Sequence, residues 1–384
     1  MSEIVKLFEE AYGKSPVAVS RAPGRLEILG NHTDYNEGFV LSAAVGQATE
    51  FAIAPVDGRV CTMRDFRDGS VVEFDLDEIA VPRPKDWTNY VKGVICELAK
   101  RGIQIDAFEG AILSTVPLSA GMSSSAALEV AASFAFAEAF GIELPKAEWA
   151  RIGQGSENNY VGAQTGLLDQ FSSIFGQHNA LIHSDFRTDE VIGTAPLPDD
   201  CILVVANSMV KHNLADSDYN VRRESCENVA AALAKKYPDV KALRDVSMEM
   251  LEDSKDLIAH IDYLRAKHVV GENERVAAGV AALNKGDIET FGKLMFESHE
   301  SSRVNFENSC PELDFLVEQA KTIPGCYGAR LSGGGFGGIS VHLVCIKAAD
   351  DYCRRLNEAF KLQTGQDCEI IRCEIGDGAS VVRI

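Results

Sequence analysis

A chain of 384 residues with 46% hydrophobic and 24% charged residues is long enough for two lobes with sizeable cores, and so ordinary a composition excludes disorder as its main state. The 57 acidic residues outnumber the 37 basic ones, for a formal charge of −20. A surface that negative repels phosphate backbones and anionic lipid, which argues against nucleic-acid and membrane-surface partners.

Residues 1–15, MSEIVKLFEEAYGKS, lack a basic start followed by an apolar core, so they read as a short amphipathic helix rather than a signal peptide. No apolar run is long enough for a membrane span, and a cytoplasmic protein is expected. The ten cysteines are scattered without a C-x-x-C pair, which points to reduced, mostly buried thiols rather than a disulfide frame or structural zinc. Hydrophobic patterning predicts strands over 17–20, 39–55 and 111–115, interrupted by helices over 87–100 and 126–140. Beyond about residue 216 helices dominate, over 221–236, 273–283, 290–299 and 312–322. Strands over 338–345 and 369–373 then flank a helix over 348–360. The expected class is α+β, divided near residues 180–200 into lobes of 1–190 and 191–384.

Three runs stand out. Residues 21–41, RAPGRLEILGNHTDYNEGFVL, crowd Arg25, Asn31, His32, Asp34 and Tyr35 onto a turn marked by Gly24, Gly30 and Gly38. Amides and carboxylates at that density match a polyhydroxylated ligand, whose hydroxyls both donate and accept, although a polar surface turn would look the same. Residues 117–127, PLSAGMSSSAA, place Gly121 and the three serines Ser123, Ser124 and Ser125 between a strand and a helix start. There the helix dipole favours an anion, so the run is a candidate phosphate cradle; helix capping accounts for one serine more easily than for three. It is not a G-x-x-x-x-G-K-[ST] loop, which the chain lacks. Residues 331–338, LSGGGFGG, set five glycines around Phe336 and permit close backbone approach to a ligand or to another segment.

In this order the three runs resemble the sugar-kinase superfamily of galactokinase, homoserine kinase, mevalonate kinase and phosphomevalonate kinase, and the G-x-H-T-D-Y-N core resembles galactokinases in particular. Supporting stretches at 86–94, 165–176, 206–227 and 297–314 extend the likeness over nearly the whole chain. The resemblance implies two α/β lobes with the active site between them, and transfer of the terminal ATP phosphoryl group to a sugar hydroxyl. It assigns Gly121, Ser123, Ser124 and Ser125 to the ATP phosphates, and Ser125 with Glu157 to Mg²⁺, an oxygen-only set suited to a small hard cation. Trp87 and Tyr90 match positions near the adenine, though they also suit the buried face of an amphipathic helix. Asp169 matches the catalytic base, with Arg25 as its electrostatic partner. Asn31, His32, Asp34, Gly166 and Tyr219 fall on sugar-contacting positions.

Two departures qualify the match. Asn31 stands where galactokinases usually carry glutamate, which leaves N-acetylgalactosamine, galacturonate and L-arabinose open beside D-galactose. Residues 301–306, SSRVNF, replace the family's frequent S-L-R-D-D-Y. The rival from another class is a sugar sensor that kept the fold and lost catalysis; an intact Ser123–Ser125 run and Asp169 favour the enzyme. A monomer or weak homo-oligomer is expected, with ATP and a monosaccharide as its partners.

Overall fold

The structure is a computed structural model that describes residues 3–118, 121–210 and 215–384. Residues 119–120 of the serine-rich run and 211–214 of the 206–227 stretch lie outside the described residues, as do Met1 and Ser2. Helix α1 (Glu3–Tyr12) buries Ile4, Val5 and Phe8 on one side of the first sheet, together with Val19, Ala52 and Ala111. Each of the three helix side chains contributes about 1.5–3 kcal/mol by leaving water. β1 (Ala18–Leu29) and β2 (Phe39–Pro55) form a long antiparallel pair. Its register slips between Pro23 and Arg25 and again between Glu27 and Leu29. Such bulges bend a strand and re-aim its side chains, and here they bracket Arg25 and Glu27.

β3 (Val60–Asp65), β4 (Val71–Asp75), α2 (Asn89–Lys100), β5 (Phe108–Ser114) and α3 (Ser124–Phe140) follow. α3 is buried over most of its first ten residues because it runs against β1 and β2, and a left-handed Gly141 ends it. α4 (Lys146–Gly155) continues into a π-helical turn, Ser156–Val161, before α5 (Leu168–Phe175). β6 (Ala180–Asp185) and β7 (Glu190–Pro196) complete an eight-stranded sheet in which β6 pairs with β2.

β8 (Cys201–Asn207) opens a second sheet. The helices α6 (Ala215–Ala234), α7 (Met248–Glu252), α8 (His260–Asn284), α9 (Ile288–Ser301) and α10 (Pro311–Thr322) come next, with a second π-helical turn, Ser302–Phe306, after α9. β9 (Cys326–Ser332), β10 (Ile339–Cys345), α11 (Ala349–Thr364) and β11 (Glu369–Cys373) close a four-stranded antiparallel sheet of order β11-β8-β10-β9. β12 (Ser380–Arg383) returns to pair with β1.

A shared core of Leu26, Leu41, Val45, Met122, Leu203, Val205, Ile339 and Val341 joins the two sheets. β1 of the first sheet and β8 and β10 of the second all contribute to it, so the two lobes meet across packed side chains. All ten cysteines are free thiols. Among the described residues no helix is long and apolar enough to cross a membrane.

Candidate active site

A cavity of about 200 Å³ opens where the first and second lobes meet. Arg25, Glu27, Asn31, His32 and Asp34 line it from β1 and the turn after it, Gly166 and Asp169 from the start of α5, Tyr219 from α6, and Gly333 and Gly334 from the glycine run. Its volume falls below the range of drug-sized pockets and suits one small polar ligand.

Asp169 sits in the first turn of α5. Arg25 reaches one of its oxygens twice, by Nε at 2.8 Å and Nη2 at 2.7 Å. The Ser123 hydroxyl donates to the other oxygen. Arg25 Nη1 also donates to the Gly121 carbonyl at 2.6 Å, so one guanidinium ties the carboxylate to the serine run. Ser123 adopts left-handed backbone at φ 56° and makes no side-chain cap. Its hydroxyl serves Asp169 instead, which removes capping as its role, and a non-glycine residue held there costs about 1–3 kcal/mol.

Glu157 lies on the first π-helical turn, 4% exposed. Thr165 donates to it at 2.6 Å, and the nearby Ser125 and Gln170 side chains favour its charged form. Among the described residues it has no ion-pair partner, and burial, then the Asp169 charge, pushes its carboxyl up. Glu129 behind it is buried on α3, accepts from Gln170 at 2.8 Å, and is pushed well above the ordinary carboxylate range by burial and then by Glu157. A buried carboxylate without a counter-charge is costly, so the Ser125–Glu157 corner fits a divalent cation. α2 packs beside this corner: Ser156 donates to the Tyr90 carbonyl at 2.8 Å, and a Cβ at Gly93 would collide with Ser156. Trp87 and Tyr90 are half-buried against the first-lobe core.

The turn after β1 is held from within. Asn31 Nδ2 donates to Glu27 Oε1 at 2.8 Å and to the Gly333 carbonyl at 2.9 Å. Its Oδ1 accepts from Asn308 at 3.0 Å and from Ser302 at 3.3 Å. His32 Nε2 donates to the Gly334 carbonyl at 3.1 Å, which fixes the tautomer, and Nδ1 accepts from the Tyr35 hydroxyl at 2.9 Å. Burial lowers the His32 imidazole to about 3, so it is neutral. Its ring packs against Phe306 at 4.5 Å and Tyr219 at 5.1 Å. Asp34 is pushed up to about 6 by burial and then by the Glu27 charge. A Cβ at Gly166 would overlap Asp34 Oδ2, so only glycine lets this carboxylate lie against the α5 loop.

Three features lay beyond sequence reasoning: two residues it did not name and one departure it left unexplained. Glu272 of α8 is fully buried and accepts the Gly30 and Asn31 amides, each at 3.0 Å, and Ser298 at 2.9 Å. It also pairs with Arg275; burial works against its charge, but Arg275, Arg330 and the Asn31 amide outweigh burial and hold its carboxyl well below the ordinary value. The 301–306 departure gains a physical account: Ser302 bonds Asn31, and the Phe306 ring packs at a tilt against His32. The two departures from the family pattern therefore touch each other. The third feature is Glu27, whose signal was its spacing of two from Arg25 on one strand, which puts both side chains on the same face.

A carboxylate clamped by arginine, a serine-rich helix start and a small polar cavity define a sugar-kinase site on a two-lobed α+β fold. Family models agree over three stretches: the galactokinase galactose-binding signature over residues 6–55, the GHMP kinases N terminal domain over 89–177 and the GHMP kinases C terminal over 280–361. The chain is 39% identical to galactokinase of Roseiflexus sp. over 99% of its own length and 97% of that protein. It is 38% identical to galactokinase of Homo sapiens, covering 100% and 96% respectively. The crystal structure of Lactococcus lactis galactokinase complexed with galactose superposes with a TM-score of 0.93 at 31% identity, over 98% of each chain. The chain belongs to the galactokinase family, a group of ATP-using sugar phosphotransferases.

Proposed function

We propose that this chain transfers the γ-phosphoryl group of ATP to the anomeric hydroxyl of D-galactose, giving galactose 1-phosphate and ADP. The observation that carries this reading is the Arg25–Asp169–Ser123 constellation on a monosaccharide-sized cavity. Asp169 takes the proton of the attacking hydroxyl as its oxygen bonds to the γ-phosphorus and the bond to the β–γ bridging oxygen breaks. Arg25 holds Asp169 in position and offsets charge on the transferring group. Asp34, Gly166 and Tyr219 orient the sugar, with Asn31 and His32 shaping the wall behind it. Gly121, Ser123, Ser124 and Ser125 cradle the phosphates at the α3 start, and Trp87 and Tyr90 flank the adenine. Ser125 and Glu157 would hold Mg²⁺, which when bound would neutralise charge on the ATP phosphates. The residue ranges 1–190 and 191–384 serve as the two lobes that bring sugar and nucleotide together, with the closing strand β12 lent back to the first. The enzyme works in the cytoplasm as a monomer or weak homo-oligomer.

Measuring ADP release with a panel of galactose, N-acetylgalactosamine, galacturonate and L-arabinose tests the assignment. Galactose-dependent ADP release with galactose 1-phosphate as product is expected. A higher kcat/KM for another sugar on the panel would reassign the substrate, and binding without turnover would return the sensor reading.

A further inference from the structure

Asn31 lines the cavity at the position that the family resemblance links to sugar recognition, yet its side chain has nothing left to offer. Both amide hydrogens and both lone-pair positions are taken by Glu27, Gly333, Asn308 and Ser302. A ligand could gain a hydrogen bond there only by breaking one of these buried bonds. Each broken bond would leave a polar group unsatisfied. His32 next to it is committed in the same way.

Glu27 differs. It lines the same cavity and is 3% exposed. Its Oε1 receives Asn31 Nδ2 and Arg330 Nη1, the latter at 2.9 Å. Its Oε2 accepts no hydrogen bond among the described residues, and it is not fully enclosed. What little of Glu27 remains accessible is thus an oxygen with free lone pairs, next to Arg25 and within the wall that Asp34 and Asp169 continue. The fully buried Arg330 and the bulge after Glu27 hold that carboxylate in place, so it needs no reorganisation to accept from a ligand.

We infer that Glu27 is a specificity-determining residue: its free carboxylate oxygen accepts from a sugar hydroxyl, in place of the saturated Asn31 beside it. This rests on the sugar-kinase reading, which turnover of galactose by the unaltered protein tests separately. The same geometry disfavours an acidic sugar whose carboxylate would face Glu27.

The experiment measures kcat/KM of the wild type, Glu27→Gln and Glu27→Asp on galactose and on its 2-, 3-, 4- and 6-deoxy analogues. Arg330 has Glu27 as its ion-pair partner, and the Gln variant risks misfolding because a buried guanidinium loses its counter-charge. The Asp variant keeps that charge while withdrawing the oxygen by one methylene. Comparing sugars on one protein sample cancels any loss of folded fraction. The expected result is a fall of about tenfold for galactose, carried by KM. For the one or two analogues that lack the partner hydroxyl, that fall shrinks to less than about threefold. Equal losses on all five sugars would make Glu27 only the structural partner of Arg330, and no loss on galactose in both variants would overturn the assignment outright.

Discussion

On the sugar-loop wall the side chains of Asn31, His32, Thr33 and Asn36 all have protein partners, whereas on the serine-loop wall Glu129 and Glu157 lie buried with no ion pair among the described residues. The first wall is stapled from outside its own segment. Glu272 holds its amides, Gly333 and Gly334 supply carbonyls, and Asn308 closes the network. The second wall carries like charges close together and a strained, uncapped Ser123. The contrast suits a site whose sugar half is preformed and whose phosphate half is completed by the nucleotide and its cation. Preorganising the first half lowers the entropy lost on binding. Leaving charge uncompensated in the second stores a cost that only the correct ligand relieves.

The comparison breaks hardest at Asp169, where the walls meet. Asp169→Asn keeps the volume and an oxygen for Arg25, turns the Ser123 hydroxyl from donor to acceptor, and removes the charge and the proton acceptor. Turnover should fall by roughly 10²–10⁴-fold while galactose and ATP bind almost as before. Steady-state kinetics with separate binding titrations check this; a variant at wild-type kcat would reduce Asp169 to a positioning role.

Glu157→Gln sharpens the contrast on the phosphate side. Its carboxyl is raised in the folded state, so the charged form costs stability at neutral pH, and that cost disappears as pH falls through the ordinary carboxylate range. Removing the charge should therefore raise the Tm of the ligand-free protein at pH 7 while weakening apparent Mg²⁺ affinity about 10- to 100-fold. Thermal melts and metal-dependent rates read both effects, and a lowered Tm with unchanged metal dependence would contradict the assignment.

Asp34 supplies the smaller test on the sugar side. Its folded pKa of about 6 stands above the ordinary 3.8, so ionisation across that window costs ligand-free stability as pH rises. Below about pH 6 the protonated carboxyl is a weaker acceptor for a sugar hydroxyl. KM for galactose should rise by about tenfold as pH falls through 6, and Asp34→Asn should flatten that profile. A KM that is flat in the wild type between pH 5 and 7 would remove Asp34 from the sugar's contacts.

Much of this site was legible in the chain because its chemistry is concentrated in short runs. Arg25, Ser123 and Asp169 were named from motifs, and the Asp169 carboxylate joins the other two by hydrogen bonds. The strand over 39–55 matches β2 because apolar residues recur along its whole length and one partner, β1, lies nearby. α8 was harder to see. Expected from residue 273, it begins at His260, because its buried face carries Arg265, His268 and Glu272. Those polar residues break the apolar period for the sake of partners such as Ser225, Ser301 and the sugar-loop amides. β12 had no local signal either, since its partner β1 lies at the other end of the chain. The saturation of Asn31 was invisible for the same reason: three of its four partners, Ser302, Asn308 and Gly333, lie far along the chain.

The claim that the sugar half is preformed and the phosphate half is not is tested most directly by titrating galactose into protein freed of nucleotide and divalent cations. Calorimetry should show one galactose bound per chain, with an affinity within about threefold of that measured with Mg²⁺ and a non-hydrolysable ATP analogue present. Absence of galactose binding until nucleotide and cation are added would contradict the account, because the sugar wall would then be assembled by the ligand it was said to precede.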